Sequence, residues 1–298
     1  MLDFRAILPA DRDVIHNYFY NAVGHGCEYS FVNTYCWAKQ FVAFFGEMPL
    51  FLCRYGNWIS YLFPKCENVK EAIDALLADA KERGIRFRLF GATPAEAEAV
   101  AALYPQRFTA RSMRDSYDYV YDIERLCALR GRKLQGKRNH CNHFEQAYPD
   151  YRVLPLTKEL LARCIEFSAR WYEEHTDSHP YTDTSEETAA ILKTFQYFDE
   201  LHMEGVALET QDGLVAFAMG NRIREDTFDV NFEKALAEIN GAYPMVNREF
   251  ARLIHSRYPE VKYLNREDDM GIEGLRRAKE SYYPDLLLEK IVLEARRG

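Results

Sequence analysis

The sequence predicts an α+β protein with mixed, α/β-type sheets, organised as two domains over residues 1–148 and 149–298. Three observations predict it. The chain has 298 residues, about twice the size of an ordinary domain. Short runs with β-type spacing alternate with stretches of helical spacing along its whole length. The order helix, meander, helix, strand, helix, strand in the first half has a similar counterpart in the second, and Pro149 breaks the chain between them. No residue-level repeat accompanies this order, so the duplication rests on the elements alone.

The elements follow in sequence. Residues 11–23 read as a short helix opened by Asp11. Runs at 41–45, 49–55 and 58–63, separated by GEM and GN turns, read as an antiparallel meander. Val69, Ile73, Leu76, Leu77 and Ala80 recur at helical spacing over 67–83, and Gly84 ends that helix. A strand over 85–91, a helix over 94–103 and a strand over 116–123 complete the first half. In the second half, a strand over 152–157 leads to a helix from Lys158 capped by Thr157, and a second helix covers 185–203. Three strands follow across 205–235, turning at Gln211-Asp212-Gly213. Helices near 244–257 and 272–280 flank a strand at 261–265, and a last strand covers 286–295.

Composition narrows the function classes. Hydrophobic residues make up 48% and charged residues 28%, the balance of a globular chain with a core. A net charge of −8 argues against a protein that coats nucleic acid, though not against a local basic site. No run approaches the roughly 18 apolar residues that a membrane span needs. The N-terminus lacks a basic stretch followed by an apolar one, so no signal peptide is read and the cytoplasm is the expected location. The seven cysteines include no C-x-x-C pair and read as buried thiols.

Three stretches carry candidate chemistry. In 129–144, Arg130, Arg132, Lys133, Lys137 and Arg138 place five cations within nine residues with no acid among them. Gly131 and Gly136 allow backbone amides to approach an anion at the start of a helix. A phosphate site and a solvated basic helix start both fit. His140 and His143 have metal-compatible spacing without a third ligand, so structural histidines are the expectation. In 228–250, Asn231 and Glu233 fall on one face of a strand, with Lys234 beside them and Asn247 in the helix that follows. Glu233 is a candidate general base if burial raises its pKa. In 263–286, Asn265, Arg266, Glu267, Asp268 and Asp269 directly follow a strand, the place where α/β enzymes put their sites. These acids suit a cationic amine, and Arg276, Arg277 and Lys279 suit a phosphate. The site is therefore expected in the second half, between 231–234 and 265–274.

The segments EYSFVNTYCW (28–37), KRNHCNHF (137–144) and NREDDMGIEGLRRAKESYYP (265–284) together resemble a soluble group classed with the C-terminal domain of phosphatidylglycerol lysyltransferases. That group is akin to the Fem peptidyltransferases. The resemblance covers nearly the whole chain and implies tandem GNAT-like domains. It implies transfer of an amino acid from aminoacyl-tRNA by direct attack of an amine or hydroxyl, with no covalent enzyme intermediate and no tightly bound cofactor. Acyl-CoA is the other donor the superfamily uses, and a non-catalytic binding protein is the alternative. Lys137-Arg138-Asn139 resembles the basic helix start of the Fem group, which assigns Arg132, Lys133, Lys137 and Arg138 to donor phosphates, from the tRNA acceptor end or CoA. The lysyltransferases carry Asp-x-x-Arg where this chain has Asn231 to Lys234, which removes a charge able to orient an amine. Residues 133–138 only approximate the Q/R-x-x-G-x-G/A loop of acetyl-CoA enzymes. Under this reading Glu233 and Asn231 are catalytic, Lys234, Asn247, Asn265, Arg266, Glu267 and Asp268 bind substrate, and no metal is required.

Overall fold

Local signals set the helix ends. The Asn68 side chain caps the helix over Val69–Arg83, and Gly84, at φ 67°, closes it in the left-handed region. Thr93 and Glu96 form a reciprocal capping box at the start of the helix over Pro94–Leu103. The computed structural model describes residues 1–20, 24, 26–175 and 184–296.

In chain order, β1 (Arg5–Ala6), α1 (Arg12–Tyr20) and α2 (Phe31–Cys36) precede the meander β2 (Gln40–Phe45), β3 (Met48–Tyr55) and β4 (Trp58–Leu62). There follow α3 (Val69–Arg83), β5 (Arg88–Ala92), α4 (Pro94–Leu103), β6 (Phe108–Ser112), β7 (Asp118–Asp122) and α5 (Ile123–Ala128). Then come α6 (Gln135–Ala147), β8 (Arg152–Pro155), α7 (Lys158–His175), α8 (Thr184–Gln196), β9 (Met203–Thr210), β10 (Gly213–Arg224) and β11 (Thr227–Ala235). The last elements are α9 (Ala242–Arg257), β12 (Tyr263–Asn265), α10 (Glu273–Glu280), β13 (Leu286–Leu288) and β14 (Ile291–Ala295).

Two mixed seven-stranded sheets result, in the orders β1-β2-β3-β4-β5-β14-β6 and β13-β7-β12-β11-β10-β9-β8. The chain divides into two compact units. The first comprises Met1–Tyr119, Glu267–Arg276 and Leu287–Gly298, and the second Val120–Arg266 and Arg277–Leu286. The boundary read at 148/149 falls inside the second unit, between α6 and β8.

The first unit's core gathers Leu50, Leu52, Tyr61, Ile73, Leu76, Leu89, Val100 and Leu293, each at most 2% exposed. Burial on this scale is the main stabilising term, at about 25 cal/mol per Å². In the second unit, β11 is a central strand. Its antiparallel pairing with β10 is irregular around Gly220, where a Cβ would fall 1.9 Å from the carbonyl oxygen of Asp229.

Several expectations meet corrections. The helix read at 11–23 is described only to Tyr20; residues 21–23 lie outside the described residues, as does Thr176 at the end of the helix read from Lys158. The helix read at 185–203 ends at Gln196, and turns close the segment with Leu201 N donating to Tyr197 O. The strand β6 is absent from the reading because its FTARS sequence is nearly all exposed and lacks an apolar alternation. The single strand read over 286–295 is two strands in different sheets, and β14 inserts between β5 and β6. Local apolar pattern identifies such a strand but says nothing about its distant partners.

Candidate active site

Side chains alternate along β11, so Asp229, Asn231 and Glu233 share one face. On an exposed strand this would be unremarkable, but Asp229 is fully buried and Asn231 is 7% exposed. Buried polar groups are costly unless something satisfies them. β12 runs parallel to β11 and pairs with it only at Thr227–Asp229, opposite Tyr263–Asn265. Past Asp229 the two strands pair no further, and Arg266 follows directly on the end of β12.

Glu233 is clamped from two elements. Arg266 Nη2 donates to its Oε1 at 2.8 Å, and Asn247 Nδ2, from α9, donates to its Oε2 at 3.0 Å. Among the described residues, the other ends of both clamping groups, Arg266 Nη1 and Asn247 Oδ1, are buried with no hydrogen-bond partner. The guanidinium lies over two rings, 4.8 Å from the Tyr282 centroid and 5.7 Å from that of Tyr121. Lys279 Nζ donates to the carbonyl of Arg266, and Tyr121 OH to that of Lys279 at 2.8 Å. Tyr121 and Tyr282 are members of this cluster that sequence reading missed. The YYP run after α10 was visible, but nothing local says that its first ring lies beneath a cation.

Lys137, near the start of α6, joins this group. Its Nζ stands 4.1 Å above the Tyr282 ring. Burial pushes its pKa down, the neighbouring Arg266 adds to that, and Glu233 opposes it. Among the described residues Lys137 has no carboxylate within ion-pair distance. Lys133 is exposed with its Nζ 5.0 Å over the Tyr283 ring, and Arg132 is exposed. Arg138 is committed to structure: its guanidinium donates to the carbonyls of Leu129 and Gly131 and to Gln135.

The other predicted residues of this unit stand close in sequence but make different contacts. Asn231 donates to Asp229 Oδ2 at 3.1 Å. Asn265 is fully buried in β12. Lys234 points to the opposite face of β11, pairs with Glu187 at 2.8 Å and lies 3.9 Å over the Trp171 ring; burial lowers its pKa. His140, read as structural, bonds through Nδ1 to Asn240 Oδ1 at 2.9 Å.

Glu267 and Asp268 belong to the first unit. Glu267 has a left-handed backbone at φ 56°, uncommon for a residue with a Cβ, and accepts from Asn33 Nδ2 at 2.8 Å. Asp268 accepts from the Met270 amide. Their neighbour Asp269 is fully buried and receives Tyr119 OH at 2.6 Å, Arg276 Nε at 2.8 Å and Arg114 Nη1 at 3.1 Å. The first unit also brings Cys27, Glu28 and Asp118 within 4.8 Å of one another, a set able to ligate a metal. The Lys290 ammonium already sits 2.6 Å from Asp118 and 2.7 Å from Glu28, so this set does not fit an added cation at the same point.

Two mixed sheets of this topology, with a polar cluster where two parallel strands part, define a tandem GNAT-like fold. The same fold is found in L-PGS from Bacillus licheniformis (TM-score 0.66, 14% identity, 97% of this chain and 93% of that one). It is found again in FemX (TM-score 0.62, 11% identity, 99% and 98%). The phosphatidylglycerol lysyltransferase C-terminal family matches residues 22–293, and the chain belongs to that family. A conserved protein of unknown function from Bacteroides thetaiotaomicron VPI-5482 is 33% identical over 99% of this chain and 100% of that one, with a TM-score of 0.93. An uncharacterized protein of Mycoplasmoides gallisepticum is 23% identical over 184 residues, which is 60% of this chain and 56% of that protein's own length. No helix among the described residues is long and apolar enough to cross a membrane.

Proposed function

We propose that this chain is an aminoacyltransferase that moves an aminoacyl group from aminoacyl-tRNA to an amine or hydroxyl acceptor. The observation that carries the proposal is the double clamp on Glu233. It leaves one buried cationic donor, Arg266 Nη1, and one buried acceptor, Asn247 Oδ1, unused beside one carboxylate. Acyl transfer by direct attack calls for this complement: a donor for the developing oxyanion and an acceptor that aligns the nucleophile's N–H or O–H. The acceptor's N or O bonds to the acyl carbon while the ester bond to the terminal ribose breaks. The nucleophile's proton passes to Glu233 and on to the departing ribose oxygen, so nothing is left over. Asn231, bonded to Asp229, and Asn265, fully buried in β12, are proposed to complete the polar lining of the site, and Lys234 braces β11 from its other face.

The starts of two helices support tRNA as the donor. A helix start is the natural cradle for a pyrophosphate, but the start of α9 is closed. Gly241 has φ +90°, and a Cβ there would fall 2.2 Å from the His140 carbonyl oxygen on α6. The start of α6, by contrast, carries Arg132, Lys133 and Lys137, of which Lys137 is the cation over Tyr282. Membership of the lysyltransferase C-terminal family supports the same donor.

Thermal unfolding with uncharged tRNA, aminoacyl-tRNA and acetyl-CoA tests the choice. At a hundred times its dissociation constant a bound ligand stabilises by about 2.7 kcal/mol. Aminoacyl-tRNA is expected to raise the midpoint and acetyl-CoA to leave it unchanged; the reverse pattern rejects tRNA as donor.

A further inference from the structure

The first unit holds a second buried charged centre that the transfer reading does not use. Lys290, with 4% of its side chain exposed, lies between Asp118 at 2.6 Å and Glu28 at 2.7 Å. Asp118 is well supplied, because the Cys27 amide donates to its second oxygen at 2.7 Å and the Cys27 thiol approaches at 3.3 Å. Glu28 shares the same ammonium, which stands on its Oε2 at 2.7 Å. Two carboxylates around one ammonium leave a surplus negative charge in a region where charge is expensive.

That surplus faces a cavity. A volume of about 280 Å³ opens beside Glu28, lined by Tyr29, Lys65, Gly91, Thr93, Glu289 and Lys290. Neither lysine brings spare positive charge. Lys65 is paired with Glu96 at 2.6 Å, and Lys290 is already shared. Glu289, exposed at the rim, adds a second negative group. Glycine keeps the carboxylate clear: a Cβ at Gly91 would lie 3.1 Å from Glu28 Oε1, and one at Gly26 would lie 2.5 Å from Oε2. Gly91 sits at φ +89°, where a side chain would be strained in any case. Burial pushes the pKa of Glu28 up, against the pull of Lys290 and with a further push from Asp118, and a further cation beside it would favour the charged form.

We propose that this cavity binds a small organic cation, a primary amine, whose ammonium pairs with Glu28 and whose carbon chain lies against Tyr29, Pro94 and Leu288. The volume suits a molecule of amino-acid size or smaller. A metal ion is the poorer occupant, since Lys290 already stands at the point between Asp118 and Glu28. The proposal is independent of the transfer reading and can fail or hold without it.

The test uses the full chain with n-butylamine, 1,4-diaminobutane, 1-butanol as the neutral isostere, and zinc chloride, followed by calorimetry and ligand-observed NMR. Both amines are expected to bind at least roughly tenfold more tightly than 1-butanol, a difference of about 1.4 kcal/mol. Glu28→Gln is expected to remove that preference. Glu289→Lys, at an exposed position where it also removes an acceptor of Tyr117 OH, is expected to weaken amine binding several-fold while a cooperative unfolding transition shows that the variant is folded. Equal binding of amine and alcohol overturns the proposal. So does amine binding that Glu289→Lys leaves unchanged, or tight stoichiometric zinc binding with no binding of either amine.

Discussion

Arg266 Nη2 stands 2.8 Å from Glu233 Oε1 on a stack that includes the ring of Tyr282. The pair joins the residue just after β12 to the C-terminal part of β11, beyond the point where the two strands stop pairing. Only a planar fork can hold Glu233 with one nitrogen and keep a second buried nitrogen for another partner. Arg266→Lys is therefore expected to fold but to lose on the order of 10²-fold in transfer rate, as removal of an oxyanion donor does elsewhere. A matched thermal midpoint with the rate loss in kcat separates this from simple unfolding.

Asn247 offers a sharper comparison. Asn247→Asp keeps the shape but replaces a donor to Glu233 Oε2 with a second carboxylate, placing two buried like charges at 3.0 Å. Destabilisation of about 2 kcal/mol is expected, measured by urea unfolding at neutral pH. The loss should shrink as the pH falls and one of the two carboxyls takes a proton.

Lys137 carries a pKa prediction with a definite sign. Burial lowers the pKa of its ammonium, so it loses its charge at a lower pH than exposed lysines do. Affinity for tRNA is expected to decline earlier on the alkaline side in the wild type than in Lys137→Arg, whose charge persists. Lys137→Ala should also reduce the slope of log affinity against log salt by about one phosphate contact. Filter binding across a pH and salt grid checks both.

The network at Asp269 contributes to acid stability. Burial alone would raise this carboxyl, but Arg276, Tyr119 and the Gly271 amide outweigh it and hold the pKa at about 2, below the ordinary 3.8. A depressed pKa contributes stability above the unfolded value, and that contribution is lost as the pH falls from near 3.8 towards about 2. Asp269→Asn is expected to cost about 2 kcal/mol at neutral pH, since it removes the buried carboxylate that Tyr119, Arg276 and Arg114 share. The variant's stability should also vary less than the wild type's across that acid window in unfolding titrations.

Much of this was legible in the sequence, for identifiable reasons. The polar face of β11 could be read because period-two alternation places Asn231 and Glu233 together and nothing else explains two polar groups on a central strand. The helix end at Gly84 is local and equally legible. What could not be read were partners distant along the chain. β14 lies between β5 and β6, Tyr282 lies beneath both Arg266 and Lys137, and Arg138 is tied to backbone carbonyls instead of facing a phosphate. Each depends on long-range packing, to which local pattern is blind. The cavity beside Glu28 was missed for a different reason: EYSFVNTYCW reads as a family signature, and its one acid looks ordinary until Lys290 and Asp118 are placed beside it.

The most direct measurement is single-turnover release of a radiolabelled amino acid from aminoacyl-tRNA into a product, with extracted lipids and soluble metabolites supplied as acceptors. Wild-type chain is compared with Glu233→Gln and Arg266→Gln. The account predicts label transfer by the wild type and a loss on the order of 10²-fold or more in each variant, with unchanged tRNA binding by Glu233→Gln. Transfer at the wild-type rate by both variants would contradict the assignment of this site.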